Sequence, residues 1–171
     1  LPHETPFLMN DVDETGPMIS LKNVCKAFDG KPVLDGLSID VDKGETVVIV
    51  GGSGTGKSVT LKHMIGLMRP DSGHIFVAGK DLCCMPHLEL NHFRRRFGMS
   101  FQEGALFDSM SVFENIAFPL RRHTEKSEEE IRTRVHECLD LVHLDGVESR
   151  RPSQLSGGMR RRVGFARAIS L

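Results

Sequence analysis

The segment GGSGTGKS, Gly51 to Ser58, constrains the fold more than any other part of the chain. It fits the pattern G-x-x-x-x-G-K-[ST], in which glycines allow a tight loop whose backbone N–H groups surround phosphate oxygens. That pattern requires a strand before the loop and a helix after it. ETVVIV at Glu45–Val50 is a β-branched run typical of a strand buried on both faces. SVTLKHMIGLM, which follows the loop, predicts a helix with Leu61, Ile65 and Met68 on one face.

Each residue type in this segment has a role in phosphate binding. Lys57 can reach the β and γ phosphates of a nucleotide, and the Ser58 hydroxyl can ligate Mg²⁺. The helix that begins near Lys57 adds the partial positive charge of its N-terminus. An ordinary glycine turn is the alternative, but the flanking strand and helix favour a nucleotide site. The predicted loop residues are Gly51, Gly52, Ser53, Gly54, Thr55 and Gly56.

Further strands and helices alternate along the chain, which predicts the α/β class. MISLKNV at Met18–Val24 and VLDGLSIDV form an early hairpin-like pair, so an antiparallel part is expected beside the phosphate-loop sheet. HIFVAG at His74–Gly79 and FGMSFQ at Phe97–Gln102 predict further strands, and ELNHFRRR predicts a short basic helix.

SEEEIRTRVHECLDLVHL carries the clearest helical pattern in the sequence. Ser127 and Glu130 have the spacing of a capping box, in which each side chain bonds the backbone N–H of the other. The apolar positions after the box form one stripe, which predicts a helix packed on a core. The residues of this stripe are Ile131, Val135, Cys138, Leu139 and Val142.

Composition excludes several classes of protein. A net charge of −1 gives no general attraction to nucleic acid, and no apolar run approaches the length of a membrane span. The four cysteines show no metal-ligand spacing, so we expect reduced packing residues. Residues 1–17 are acidic and contain prolines, without the basic start and apolar core of a signal peptide, and they predict a disordered tail.

Three more motifs occur in a fixed order around the phosphate loop. KAFDG contains Phe28, SFQEGALF contains Gln102, and LSGGM spans Leu155–Met159. With GGSGTGKS, these motifs resemble the nucleotide-binding subunit of ABC transporters from about Met18 to Leu171. The resemblance implies a P-loop NTPase core of mostly parallel sheet with flanking helices, an antiparallel β appendage, and a helical subdomain at about residues 103–160. It also implies that ATP and Mg²⁺ are bound.

The resemblance assigns roles to these motifs. Phe28 would stack on adenine, and Gln102 would ligate Mg²⁺ or hold a water. The signature LSGGM would close on the ATP held by a second copy of the protein in a head-to-tail homodimer, through Ser156, Gly157 and Gly158 at the start of a helix. Met159 stands where the family more often has glutamine, which leaves the backbone donors in place.

The helix after the signature carries a cluster of arginines. Such a cluster can bind nucleic acid, but balanced charge and few interleaved aromatics favour a solvated helix face instead. The residues concerned are Arg160, Arg161, Arg162 and Arg167.

The segment from Gly104 to Arg122 is rich in apolar residues, either as core or as a groove for another protein. By the resemblance, a transmembrane permease docks near Gln102 to Arg122, which places the protein peripherally on the cytoplasmic face of a membrane. The sequence of this region and the methionine in the signature resemble those of Mla-type ATPases. That resemblance implies phospholipid or other lipid transport with an MCE-type substrate-binding partner.

Hydrolysis of ATP needs carboxylates to hold the metal and orient the attacking water. In the family they lie on an apolar strand ending Asp-Glu, with a switch histidine beyond, and the sequence ends at Leu171 before such a run. We therefore expect an ATPase as the intact protein and little turnover from these residues alone. A non-catalytic regulatory module and a P-loop kinase for a small molecule are the alternatives; a GTPase is disfavoured because no N-K-x-D element occurs.

Overall fold

The computed structural model describes residues 16–102 and 104–171. The predicted tail at residues 1–17 therefore lies almost entirely outside the described residues. The chain divides into two compact units, with the division between Arg94 and Arg95. In the described residues no helix is long and apolar enough to cross a membrane.

The first unit contains a four-stranded antiparallel sheet with the strand order β2-β1-β3-β4. Its strands are β1 (Ile19–Phe28), β2 (Lys31–Val41), β3 (Ser72–Val77) and β4 (Lys80–Asp81), and its helices are α1 (Lys57–Met64) and α2 (His87–Arg94). Strands β1 and β2 form a hairpin through a turn at Asp29 and Gly30, both with positive φ. The early hairpin predicted from sequence is confirmed.

The predicted strands at Glu45–Val50 and Phe97–Gln102 are not formed, since neither segment pairs into a sheet among the described residues. Val48 is 76% exposed and Val50 is 87% exposed, so this run is not buried on both faces. A parallel strand depends on hydrogen-bonded neighbours, and apolar composition alone cannot supply them.

Helix α1 is also shorter than the sequence pattern predicts. It ends at Met64, and Gly66 with φ +68 turns the chain away. A Cβ on Gly66 would lie 2.9 Å from the Leu90 side chain, so this turn packs closely against α2. The face predicted for α1 is wrong, because Leu61 is exposed while Thr60, His63 and Met64 are buried.

The second unit is helical and contains α3 (Val112–His123), α4 (Glu128–Leu141) and α5 (Gly157–Ala168), with a 3₁₀ turn at Pro152–Gln154. The predicted capping box of α4 is confirmed, with reciprocal bonds between Ser127 and Glu130. The predicted stripe of α4 is buried in a core shared with α3 and α5. The α/β class is thus confirmed, with the antiparallel sheet in one unit and the helical core in the other. The mostly parallel sheet that the resemblance implies is not observed among the described residues, where every strand pair is antiparallel.

Candidate nucleotide-binding site

The glycine-rich segment forms a loop that depends on left-handed backbone. Gly54 and Gly56 have φ values of +80 and +88. A Cβ on Gly56 would lie 3.0 Å from the carbonyl oxygen of Val33 and 3.0 Å from Leu34 Cδ2. Strand β2 therefore packs directly against the loop. At Gly56 both the positive φ and the lack of room for a Cβ require glycine.

The Lys57 ammonium lies over this loop. Its Nζ donates to the carbonyl oxygen of Gly51 at 2.9 Å and also to that of Gly52. The Thr55 hydroxyl donates to the same Gly52 carbonyl at 3.0 Å. The lysine thus holds a positive charge at the concave side of the loop, where a phosphate can replace a carbonyl as its partner.

The N-terminus of α1 is left open for an anion. Its N-cap is Gly56, which provides no side-chain hydrogen bond, and the first turn contains no acidic residue. The first N–H groups of a helix have no intrahelical partner, and together with the helix dipole they favour a negative charge.

Ser58 lies in the first turn of α1 and is exposed. Its hydroxyl oxygen is a hard ligand of the kind that Mg²⁺ accepts beside phosphate oxygens and water. Within residues 16–102 and 104–171 no group of His, Cys, Asp and Glu is arranged to hold a metal ion. The Ser58 hydroxyl accordingly fits a magnesium ion that is bound together with phosphate oxygens.

Phe28 ends β1 and is 41% exposed, so its ring is accessible to a stacking partner. Strand β2 connects it to the loop, since Phe28 pairs with Lys31 and the nearby Val33 contacts Gly56. An open pocket of about 370 Å³ lies between β2 and the loop; its lining includes Val33, Leu34, Thr55 and Lys57.

The signature begins helix α5 in the second unit. Ser156 is the N-cap, and its hydroxyl accepts from the N–H of Met159 at 3.2 Å. The first turn contains no acidic residue, and a Cβ on Gly158 would meet nothing within 4 Å. This helix start is exposed and unobstructed within its own unit, as a surface that meets an anion must be.

Gln102 lies in a turn and is exposed, not at the end of a strand as predicted. Its backbone carbonyl oxygen accepts from Arg161 Nε of α5 at 3.1 Å. The next described residues are also held by α5, since Arg167 donates to the carbonyls of Gly104 and Ala105 at 3.0 and 2.9 Å. The structure thus brings the glutamine and the signature helix together in the second unit.

The arginines of α5 form a solvated face only in part: Arg161 and Arg162 are exposed, as the sequence predicts, whereas Arg160 and Arg167 are partly buried. Each guanidinium donates to a backbone carbonyl, and burial lowers the pKa of Arg167 from its ordinary value. Arg160 bonds Leu155, and Arg162 bonds Val142 and His143. A guanidinium presents five donors in a fixed fork, so it can fix loops that have no regular ladder.

Asn115 is a structural residue of this region that the sequence reasoning missed. It is fully buried in α3, and its amide group bonds both the N–H and the C=O of Phe107, at 2.8 and 3.1 Å. Helix α3 itself was also missed, although Ser111 and Glu114 have the capping-box spacing that revealed α4. A lone asparagine within an apolar stripe was the sequence signal that could have indicated this buried structural role.

The residues held by Asn115 border an exposed aromatic surface. The rings of Phe107 and Phe118 lie 5.1 Å apart and both are exposed. By contrast, Leu106 and Phe113 pack against the helical core. The apolar region is therefore partly core and partly exposed aromatic surface.

The sequence profile described as ABC transporter matches residues 34–171. A probable ribonucleotide transport ATP-binding protein of Mycobacterium leprae is 47% identical over 156 residues, which cover 91% of this chain and 45% of that protein. The intermembrane phospholipid transport system ATP-binding protein MlaF of Haemophilus influenzae is 43% identical, over 90% of this chain and 58% of its own length.

A sulfate/thiosulfate import ATP-binding protein of Bradyrhizobium diazoefficiens is 44% identical, over 90% of this chain and 44% of that protein. This chain thus spans about half the length of the curated relatives it matches. Among solved structures, the dimeric ATP-binding cassette MJ0796 bound to ADP and Pi matches with a TM-score of 0.82 and 33% identity. That match covers 90% of this chain and 69% of the cassette.

Proposed function

The chain belongs to the ABC transporter family, and on that premise we propose that its protein binds ATP with Mg²⁺ and hydrolyses it to power transport. The loop at Gly51–Gly56 carries the proposal. Its backbone is left-handed at Gly54 and Gly56, a lysine ammonium lies on its concave side, and the open N-terminus of α1 follows it. The ammonium and the free N–H groups are the hydrogen-bond donors that a triphosphate requires.

The remaining site residues have complementary roles in the proposal. Phe28 stacks on the adenine, Ser58 and Gln102 are the magnesium ligands, and Lys57 and Gln102 are the catalytic residues within these 171 residues. The metal supplies charge neutralisation at the phosphates.

The signature completes the site of a second copy. Ser156, Gly157 and Gly158 present free backbone donors without a side chain in the way, and one phosphate site is already provided by the P-loop. A homodimer with ATP at its interface uses both sites. The dimeric state of the similar cassette, bound to ADP and Pi, supports this arrangement.

A transmembrane permease is the proposed second partner, docking between Gln102 and Arg122. The exposed pair of Phe107 and Phe118 offers aromatic surface of the kind enriched in interfaces, and α5 fixes the adjoining loop. This partner would hold the protein peripherally on the cytoplasmic face of a membrane.

The transported substrate is proposed to be phospholipid or another lipid, with an MCE-type protein as a further partner. The relative named for intermembrane phospholipid transport supports this proposal. Relatives of similar identity are named for ribonucleotide transport or sulfate import, so family membership alone does not select the lipid. The rate of ATP turnover by the reconstituted transporter, measured with phospholipid, sulfate and ribonucleotide in turn, tests the assignment.

Isothermal titration of ATP and Mg²⁺ into the full-length protein tests nucleotide binding. Lys57→Ala removes the charge at the loop and should weaken ATP binding about 100-fold, because charge-assisted bonds to phosphate are lost. Lys62→Ala, on the exposed side of the same helix, is the matched control and should bind normally. Equal ATP affinities for the two variants would refute the phosphate site. ATP turnover should likewise be lower for Lys57→Ala than for Lys62→Ala.

A further inference from the structure

We infer that Asp71 is a positioning residue for the aromatic platform at Phe28, and that it thereby supports recognition of the nucleotide base. The inference rests on the proposed function, in which Phe28 stacks on adenine. Asp71 lies outside every motif that predicted the nucleotide site, in the segment just before β3. All the contacts that carry the inference lie within the first unit.

Asp71 extends the sheet toward Phe28. The last pair between β1 and β3 joins Cys25 to Ser72, so β1 continues beyond the end of β3. At that point the backbone N–H of Asp71 donates to the Cys25 carbonyl at 2.9 Å. Its carboxylate Oδ2 then accepts from the N–H of Ala27 at 2.8 Å, one residue before Phe28. The side chain thus continues the hydrogen bonding that the strand no longer provides.

The other strand beside this segment cannot supply a regular ladder. Ala27 is opposite Pro32 of β2, and the register shifts between Lys26 and Ala27. The N–H of Ala27 points toward the β3 side of β1, so β2 does not provide its acceptor. The bond from Asp71 therefore fixes the backbone next to Phe28 beyond the last residue pair between β1 and β3.

The same carboxylate holds a cation beside the ring of Phe28. Asp71 Oδ1 lies 2.6 Å from Lys26 Nζ, and that ammonium is 5.7 Å from the centroid of the Phe28 ring. This distance is within the range of a cation–π contact. The Lys26 side chain is only 18% exposed, so its position is well restricted.

These contacts concern the base and not the phosphates. The P-loop is supported by Val33 and Leu34 of β2 and by the bonds of Lys57, none of which involves Asp71. Loss of the carboxylate should release Lys26 and the backbone at Ala27, and so widen the range of positions of the ring. Stacking depends on ring placement, whereas phosphate binding does not.

Binding of ATP and of inorganic tripolyphosphate, each with Mg²⁺, to the full-length protein separates the two effects. Asp71→Ala should weaken ATP binding about 3- to 10-fold and leave the affinity for tripolyphosphate unchanged, since base stacking is a modest contribution. Asp71→Asn keeps an acceptor for Ala27 and should lose less. Glu128→Ala breaks an exposed ion pair of 2.7 Å with Arg121 in the second unit and should change neither affinity.

Phe28→Ala makes the failures distinguishable. It should weaken ATP binding about 10-fold without affecting tripolyphosphate. If Phe28→Ala changes neither affinity, the proposed role of Phe28 is wrong, and this inference fails with it. If Phe28→Ala weakens ATP alone while Asp71→Ala matches the wild type, or if Asp71→Ala weakens both ligands equally, the positioning role of Asp71 is refuted.

Discussion

Gly164 of α5 offers a stringent test of how the loop after Gln102 is held. It packs directly on Gly104, and a Cβ at Gly164 would lie 2.6 Å from the Gly104 Cα and 2.8 Å from its carbonyl oxygen. Gly104 is held on α5 by a further contact, because its carbonyl oxygen accepts from Arg167 at 3.0 Å. The perturbation is Gly164→Ala.

Two contributions to the free energy of unfolding oppose each other in this variant. Alanine in a helix interior is favoured over glycine by about 1 kcal/mol. Against this, carbon atoms approach optimally at roughly 3.5–4.0 Å, and overpacking of a core costs about 1–3 kcal/mol. Because the obstructing atoms at Gly104 are backbone, the upper part of that range applies. The net expectation is a destabilisation of about 2 kcal/mol.

Urea denaturation of the full-length protein followed by circular dichroism measures the effect. Gly158→Ala is the control, since it makes the same change in the same helix where a Cβ meets nothing within 4 Å. It should be neutral or slightly stabilising. If Gly164→Ala is as stable as Gly158→Ala, the close packing of α5 on the loop is not real.

Three further changes test other contacts. The N–H of Ser127 holds the pKa of Glu130 below its usual range, so the stabilisation from Glu130 is present above its unfolded pKa near 4.5 and is lost as pH falls. The urea midpoint should therefore fall more steeply on acidification for the wild type than for Glu130→Gln, and equal slopes would contradict the cap. In His63→Leu, loss of the 2.7 Å contact between Nδ1 and the Val59 carbonyl oxygen opposes the gain from removing the buried Nε2, which has no partner among the described residues. The free energy of unfolding should therefore change by less than about 1 kcal/mol, and a loss above about 2 kcal/mol would show an unrecognised contact. Arg167→Lys should lower the free energy of unfolding by about 1–2 kcal/mol, since an ammonium cannot reproduce the paired bonds to two carbonyls. An unchanged urea midpoint would count against this role of Arg167.

Local signals in the sequence predicted local structure well. The capping box at Ser127 and Glu130 and the stripe after it specify α4 through contacts within the helix, and both are confirmed. The glycines of the P-loop were also informative, because Gly56 meets a steric requirement that one residue type satisfies. Such features depend on neighbours a few residues away.

Predictions that depend on distant partners were less successful. Val48 and Val50 have a strand composition, but no ladder forms for them among the described residues. Two of the α5 arginines are exposed as predicted, but the sequence did not reveal that they bond carbonyls such as those of Gln102 and Val142, far away in the sequence. A helical period predicts faces, and it cannot reveal which loops a long polar side chain will bind. The nucleotide, magnesium and dimer roles of the site residues stay predictions until binding is measured.

Association of the full-length protein in the presence of a non-hydrolysable ATP analogue tests the central claim most directly. Analytical ultracentrifugation should show a dimer with the analogue and a monomer without it. Gly158→Glu should prevent this dimerisation while retaining nucleotide binding by the monomer, because the side chain has open space in its own unit but places a negative charge where the phosphate of the other copy must lie. A wild type that stays monomeric with the analogue, or a Gly158→Glu variant that dimerises as well as the wild type, would contradict the account.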